Sequence, residues 1–206
     1  METIMHYSKA LLVILYAVTF AACSNSIELS STAVDGPLRI DAADSAWRDR
    51  AVLVDDGKFS LGFHNDSADL FIYLKTMDRA LERQIVMGGL TIWIDSTGGK
   101  AKYFGIRYPL GGERLHGIPG SPPDPSGREN QIERSIVEFA PECEVLGSEE
   151  ADRQRVPLGT SSGIDGRVTF VEGALVYELR VPLRNGAAGA FAVGWGKNAE
   201  IGVLFE

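Results

Sequence analysis

Apolar residues in this chain recur mainly with a period of two, in short runs cut by polar turns. Phe59-Ser-Leu-Gly-Phe63 alternates apolar and small residues and stops at His64-Asn-Asp-Ser67. In Asp69 to Lys75, Leu70, Ile72 and Leu74 share one face, while Phe71 and Tyr73 share the other. Leu90-Thr-Ile-Trp-Ile94 repeats the alternation and ends in the turn Asp95-Ser-Thr-Gly-Gly99. Tyr103 to Leu110, Glu144 to Leu146, Phe191 to Trp195 and Ile201 to Phe205 read as further strands. Val168 to Phe170 and Leu175 to Val181, joined at Glu172-Gly173, read as a hairpin. In its second arm Leu175, Tyr177, Leu179 and Val181 point one way and Glu178 and Arg180 the other.

Two stretches switch to helical spacing. Asp78 caps a short helix through Val86, and Gly88-Gly89 ends it. Ser126 with Glu129 forms a capping-box pattern ahead of Ile132, Ile136, Val137 and Phe139, and Pro141 stops that helix. Between the two, Gly111 to Gly127 is dense in Gly and Pro and reads as a loop. Short strands with polar punctuation and one or two short helices predict a mainly β fold, an antiparallel β-sandwich.

The first 36 residues follow another pattern. Lys9 precedes the apolar run Ala10 to Ala22, and Cys23 follows two alanines. The run is short of the ~20 apolar residues of a stable anchor, and Ser24, Asn25 and Ser26 end it. A plain secretory signal has no need of a cysteine just after its cleavage site. The segment resembles a bacterial lipoprotein signal peptide, with Phe20 where an aliphatic residue usually stands. That resemblance implies cleavage after residue 22 and lipid on the Cys23 sulfur. Ser24, rather than Asp, in the next position implies an outer-membrane lipoprotein. The expected organisation is a signal peptide over 1–22, a tether over 23–36 and a β-sandwich over 37–206.

Composition narrows the partners. The formal charge is -8, and Glu2 and Lys9 cancel within the leader, so the remainder keeps it. An acidic chain without a basic run does not suit nucleic acid. Lipidation of Cys23 leaves Cys143 without a disulfide partner, and it is expected to be buried. His64 and His116 are the only histidines past the leader. There is no nucleophile elbow, phosphate loop or zinc helix, so the expectation is a protein without catalysis and without a cofactor. Asp55, Asp56, Asp66, Asp69 and Asp95 could offer oxygens to calcium, but Asp is favoured in turns for backbone reasons alone. Haem would need ligands from Met77, Met87, His64 and His116; the two methionines fit the apolar side of the short helix and are expected in the core.

The aromatic residues carry the binding expectation. Sugar rings stack their C–H faces on Trp and Tyr, and their hydroxyls bond to polar side chains. Trp47, Trp93 and Trp195 are the large platforms, with Tyr73 and Arg107 as partners. Trp93 lies on the Thr91 face of its strand, opposite Leu90, Ile92 and Ile94.

Pro37-Leu-Arg-Ile-Asp41 followed by Ser45-Ala-Trp47, then Asp55-Asp56, Phe59 to Phe63, Asn65-Asp66 and Leu70 to Tyr73, and late in the chain Leu175 to Leu183, form a series of phrases. Together they resemble carbohydrate-binding module family 9 and DOMON-like domains. Ala42 stands where the family phrase carries glycine. The middle phrase Arg83 to Asp95, with Gly98 to Lys100 and Gly105 to Gly111, resembles uncharacterised bacterial envelope proteins. The resemblance implies a β-sandwich that binds a saccharide or similar polar ligand. The alternative is a structural or partner-binding envelope lipoprotein with no sugar site. Lipidation has a direct test: bacteria fed an alkyne fatty acid should label the full-length protein, and Cys23→Ser should abolish the label. Label that persists in Cys23→Ser refutes the site.

Overall fold

The computed structural model describes residues 26–34, 38–42, 46–111, 142–184, 191–196 and 200–206. Cys23, the leader, His116 and the helix expected after Ser126 lie outside them. The chain divides into two compact units, Met1–Ser30 and Ser31–Glu206. The second contains eleven strands among the described residues: β1 (Thr32–Ala33), β2 (Val52–Val54), β3 (Phe59–Asn65), β4 (Asp69–Thr76), β5 (Leu90–Asp95), β6 (Gly105–Tyr108), β7 (Glu142–Leu146), β8 (Gln154–Pro157), β9 (Asp165–Val171), β10 (Ala174–Pro182) and β11 (Gly202–Phe205). One α-helix, α1 (Arg79–Gly88), links β4 to β5.

Two sheets form the predicted sandwich. Sheet A has the order β1-β3-β4-β10-β9, with β2 also pairing β3; sheet B has the order β11-β5-β6-β7-β8. All pairings are antiparallel except β1 with β3. The turns follow their chemistry. Glu172 and Gly173 both take positive φ, as a two-residue hairpin turn requires. Asp66 Oδ1 accepts the N–H groups of Ala68 and Asp69 and closes the β3–β4 turn. Asp78 caps α1 through bonds from the N–H groups of Ala80 and Leu81.

Between the sheets, Leu70, Ile72, Leu74, Leu175, Tyr177 and Leu179 from sheet A face Leu90, Ile92, Ile94, Ile106 and Tyr108 from sheet B, all buried. Tyr108 crosses the gap: its hydroxyl donates to the Gly166 carbonyl of β9 at 3.2 Å. Its ring lies 5.9 Å from that of Tyr177. Cys143 is fully buried beside them on β7, and burial pushes its thiol up to about 12.

Sheet A is covered on its other face as well. Ala42, Trp47, Phe71, Tyr73 and Val176 form a second buried cluster, with Val34, Leu38, Ile40 and Ala51 packed against it. Residues 38–42 and 46–51 therefore lie across the back of sheet A. Trp47 stacks on Tyr73 with ring centroids 4.9 Å apart. It lies flat over Gly62, where an added Cβ would come within 2.9 Å of the indole. Beneath this layer Glu178 is 1% exposed. Its carboxylate accepts from Trp47 Nε1–H at 2.9 Å and Ala42 N–H at 2.7 Å. Ala42 reaches that geometry at φ +60, the left-handed region that glycine adopts more easily.

At several points the fold departs from the pattern of the sequence. Thr32 and Ala33, inside the 23–36 span read as a tether, pair with His64 and Asn65. Phe191 to Trp195 forms no ladder strand: Gly194 takes φ +73, which breaks the extended run. Val193 and Trp195 instead donate to the carbonyls of Pro182 and Leu183. Met77 and Met87 are not core residues, at 70% and 44% exposed. Met77 precedes the cap of α1, and the inward positions of that helix are Glu82, Ile85 and Val86. Glu178 lies on the face opposite Leu179, as alternation expects, and the back layer covers it.

Burial raises the Glu178 carboxyl above its ordinary 4.5, while the Ala42 and Trp47 N–H groups pull the other way. Between the ordinary value and the raised one, the folded chain holds a proton that the unfolded chain has lost. Stability contributed by this group is therefore complete below 4.5 and falls as pH rises through that window. Glu178→Gln should remove that slope from denaturant-measured stability and, by orphaning one N–H, cost about 1–3 kcal/mol. A wild-type-minus-variant stability curve that stays flat with pH would refute this account.

Candidate functional site

The sequence pointed to Trp47, Trp93, Trp195, Tyr73 and Arg107, and the structure does not bring them together. Trp47 and Tyr73 stack on each other in the back layer of sheet A, each 1% exposed. They expose almost no ring surface to a ligand, so their platform role gives way to packing. Trp195 is tied to the end of β10 through the Leu183 carbonyl, with the Arg184 guanidinium 5.2 Å from its ring. Trp93 and Arg107 alone share a surface, the outer face of sheet B.

That face follows from strand alternation. Ile92 opposite Ile106 and Leu90 opposite Tyr108 turn inward. Thr91, Trp93, Gly105 and Arg107 therefore turn outward, as do Glu144 on β7 and Arg155 on β8, which align with Arg107. Trp93 is partly exposed and lies across Gly105, its cross-strand partner. An added Cβ at Gly105 would come within 2.6 Å of the indole, so only a residue without a side chain lets the ring lie flat.

The edge of the indole is held as well. Its Nε1–H donates to Glu206 Oε2 at 2.8 Å. Glu206 also binds Lys102, whose ammonium stands 5.8 Å from the ring centroid. The Lys102 and Trp93 N–H bonds hold the Glu206 carboxyl below its ordinary range. Lys102 is positioned by the loop after β5: Asp95 Oδ1 accepts Thr97 N–H and hydroxyl, and Oδ2 accepts Ala101 N–H. These bonds, led by that from the Thr97 hydroxyl, lower the Asp95 carboxyl. The result is an indole face bordered by a cation and an anion, an arrangement suited to a ring with an apolar face and polar edges.

Farther along the same face, Arg107 Nε and Nη2 donate to the Gly88 carbonyl at 3.1 and 2.7 Å. A cation thus meets the C-terminal end of α1, whose last turn has no basic residue. Arg107 Nη1 also stands 3.7 Å from Glu144 Oε2. Sequence reading passed over Lys102, Glu144, Arg153, Arg155 and Glu206. The trace of them was the alternation Glu142-x-Glu144 and Arg153-x-Arg155, which places like charges on one side of adjacent strands.

The remaining candidates have local roles. The ring nitrogens of His64 lie 3.2 Å from the Thr32 and Ala46 carbonyls, beneath Trp47. Asp55 pairs with Lys58 in the β2–β3 turn.

Gly105→Ala should displace the Trp93 ring, shift its indole N–H resonance and destabilise the protein by about 1–3 kcal/mol, the cost of overpacking. An unchanged resonance and melting temperature would show that the ring does not depend on this glycine. Comparison with protein-family models, with curated proteins and with solved structures finds no match to the chain, so the functional reading rests on the geometry of this face.

Proposed function

We propose that this protein is a lipid-anchored component of the bacterial outer membrane whose β-sandwich binds a saccharide or similar polar ligand without catalysis. The observation that carries the binding reading is the Trp93 indole, laid flat on Gly105 in a partly exposed position and bordered by Lys102 and Glu206. A sugar ring can stack its C–H face on the indole, and its hydroxyls can bond to the ammonium and the carboxylate. The anchor rests on Cys23 and the apolar run before it. Among the described residues no helix is long and apolar enough to cross a membrane. Several acyl chains on one cysteine would provide the attachment, at ~0.8 kcal/mol per buried methylene. Tethering also raises local concentration, so a shallow site with modest affinity is sufficient.

Two buried groups support binding rather than reaction. Cys143 has its thiol pushed up to about 12, away from the thiolate a nucleophile needs. His64 is engaged by two backbone carbonyls under Trp47.

A second reading, a partner-binding lipoprotein without a sugar site, has its own support. Val52, Leu53 and Met77 are 48%, 69% and 70% exposed. Leu53 and Met77 line one shallow groove of about 390 Å³ on sheet A. A protein partner would use that edge and leave Trp93 untouched.

Glycan-array binding by the full-length protein in detergent separates the two. Trp93→Ala should reduce glycan binding about tenfold or more, as for loss of a stacking platform. Leu53→Asp should leave it unchanged. Folded protein that binds no glycan would overturn the saccharide reading.

A further inference from the structure

Glu144 lies on the outer face of sheet B, yet its side chain is only 6% exposed. Arg107 Nη1, Arg153 Nε and Arg155 Nε stand 3.7, 3.8 and 3.9 Å from its carboxylate oxygens. These are ion-pair distances and too long for hydrogen bonds. Glu144 Oε2 is buried and has no hydrogen-bond partner. A buried carboxylate oxygen without a donor is costly.

Three guanidinium groups thus stand around one buried acid, and Glu142 lies two residues back on the same face. Three arginines converge on one side chain within a chain of formal charge -8. Arg107 is fixed in place by the Gly88 carbonyl through Nε and Nη2, which leaves Nη1 turned toward Glu144. Arg153 and Arg155 are about half exposed, at 47% and 48%, and accessible from outside.

We infer that this cluster is a subsite for the carboxylate of an acidic sugar, a uronic acid residue within an oligosaccharide. The inference rests on the saccharide reading and names its ligand class. The ligand must meet two demands at once. The guanidiniums call for an anion with carboxylate-like geometry. The Glu144 carboxylate, under-bonded at its buried Oε2, calls for a donor at its other oxygen, which a fully ionised phosphate or sulfate lacks. A uronate has both: its carboxylate meets the arginines and a neighbouring hydroxyl donates to Glu144. Trp93 and Glu144 are separated by two strand spacings and two residues, roughly 12 Å from sheet geometry. An oligosaccharide spans that distance, so one ring stacks on Trp93 while an acidic ring reaches the arginines.

Calorimetric titration of the full-length protein in detergent with tri-galacturonate and with the neutral tri-galactoside tests this. The acidic probe should bind about tenfold or more tightly than the neutral one, and its advantage should shrink as salt rises. Arg153→Ala alters an exposed side chain and should remove most of that advantage with an unchanged melting temperature. Glu144→Gln should weaken the acidic probe by about tenfold, through loss of a charged acceptor. Trp93→Ala should weaken both probes alike. Equal binding of both probes, with Arg153→Ala silent, would overturn the acidic subsite and leave saccharide binding standing. Binding of neither probe, together with a blank glycan array, would overturn both.

Discussion

A carboxylate taken out of water must be bonded or it destabilises the fold. Glu178 is that carboxylate here, and the architecture on the back of sheet A is built around satisfying it. It stands on β10, the strand paired on both sides by β4 and β9. It accepts bonds from Ala42 and Trp47, which belong to the segment between β1 and β2. One interaction therefore joins the centre of sheet A to the segment that covers it. It accounts for why Ala42 takes a left-handed backbone angle and why Trp47 is oriented with its N–H inward. It also accounts for why β10 is buried along both faces.

The two sheets then use one device to different ends. Each outer face carries a tryptophan laid flat on a strand glycine: Trp47 on Gly62 and Trp93 on Gly105. On sheet A the indole is itself part of a covering layer, with Tyr73 and His64 against it and Glu178 binding its nitrogen. On sheet B the indole nitrogen is held by Glu206 at the surface and the ring stays partly exposed. The first arrangement contributes to stability and the second offers a surface for recognition. Local sequence does not separate them, since a tryptophan against a glycine is compatible with either.

Much of the fold was legible in the chain because strand alternation is a local property. The β9–β10 hairpin, the alternation of β4 and β5, and the cap of α1 at Asp78 all follow from neighbouring residues. The errors share a cause. Met77 and Met87 look like core residues until the packing of α1 selects Glu82, Ile85 and Val86 as its inward positions. Phe191 to Trp195 has strand composition, but Gly194 adopts a backbone angle no alternation rule reports. Thr32 and Ala33 are too short a pair to register as a strand until β3 offers its edge.

The sequence by itself determined the inward and outward sides of the strands, because side chains alternate across a pleat whatever lies beyond it. It thereby placed Trp93 and Arg107 opposite the apolar face of their sheet, and placed Glu178 opposite Leu179. Only the tertiary structure decided which outward faces stay open. A segment more than 100 residues from Glu178 in sequence folds over it, and Trp47 of that segment is buried against Tyr73. Strands distant in the chain bring Arg107, Glu144 and Arg155 into line on the other sheet. Burial and charge clustering are properties of what packs against a residue, and those partners come from elsewhere in the chain.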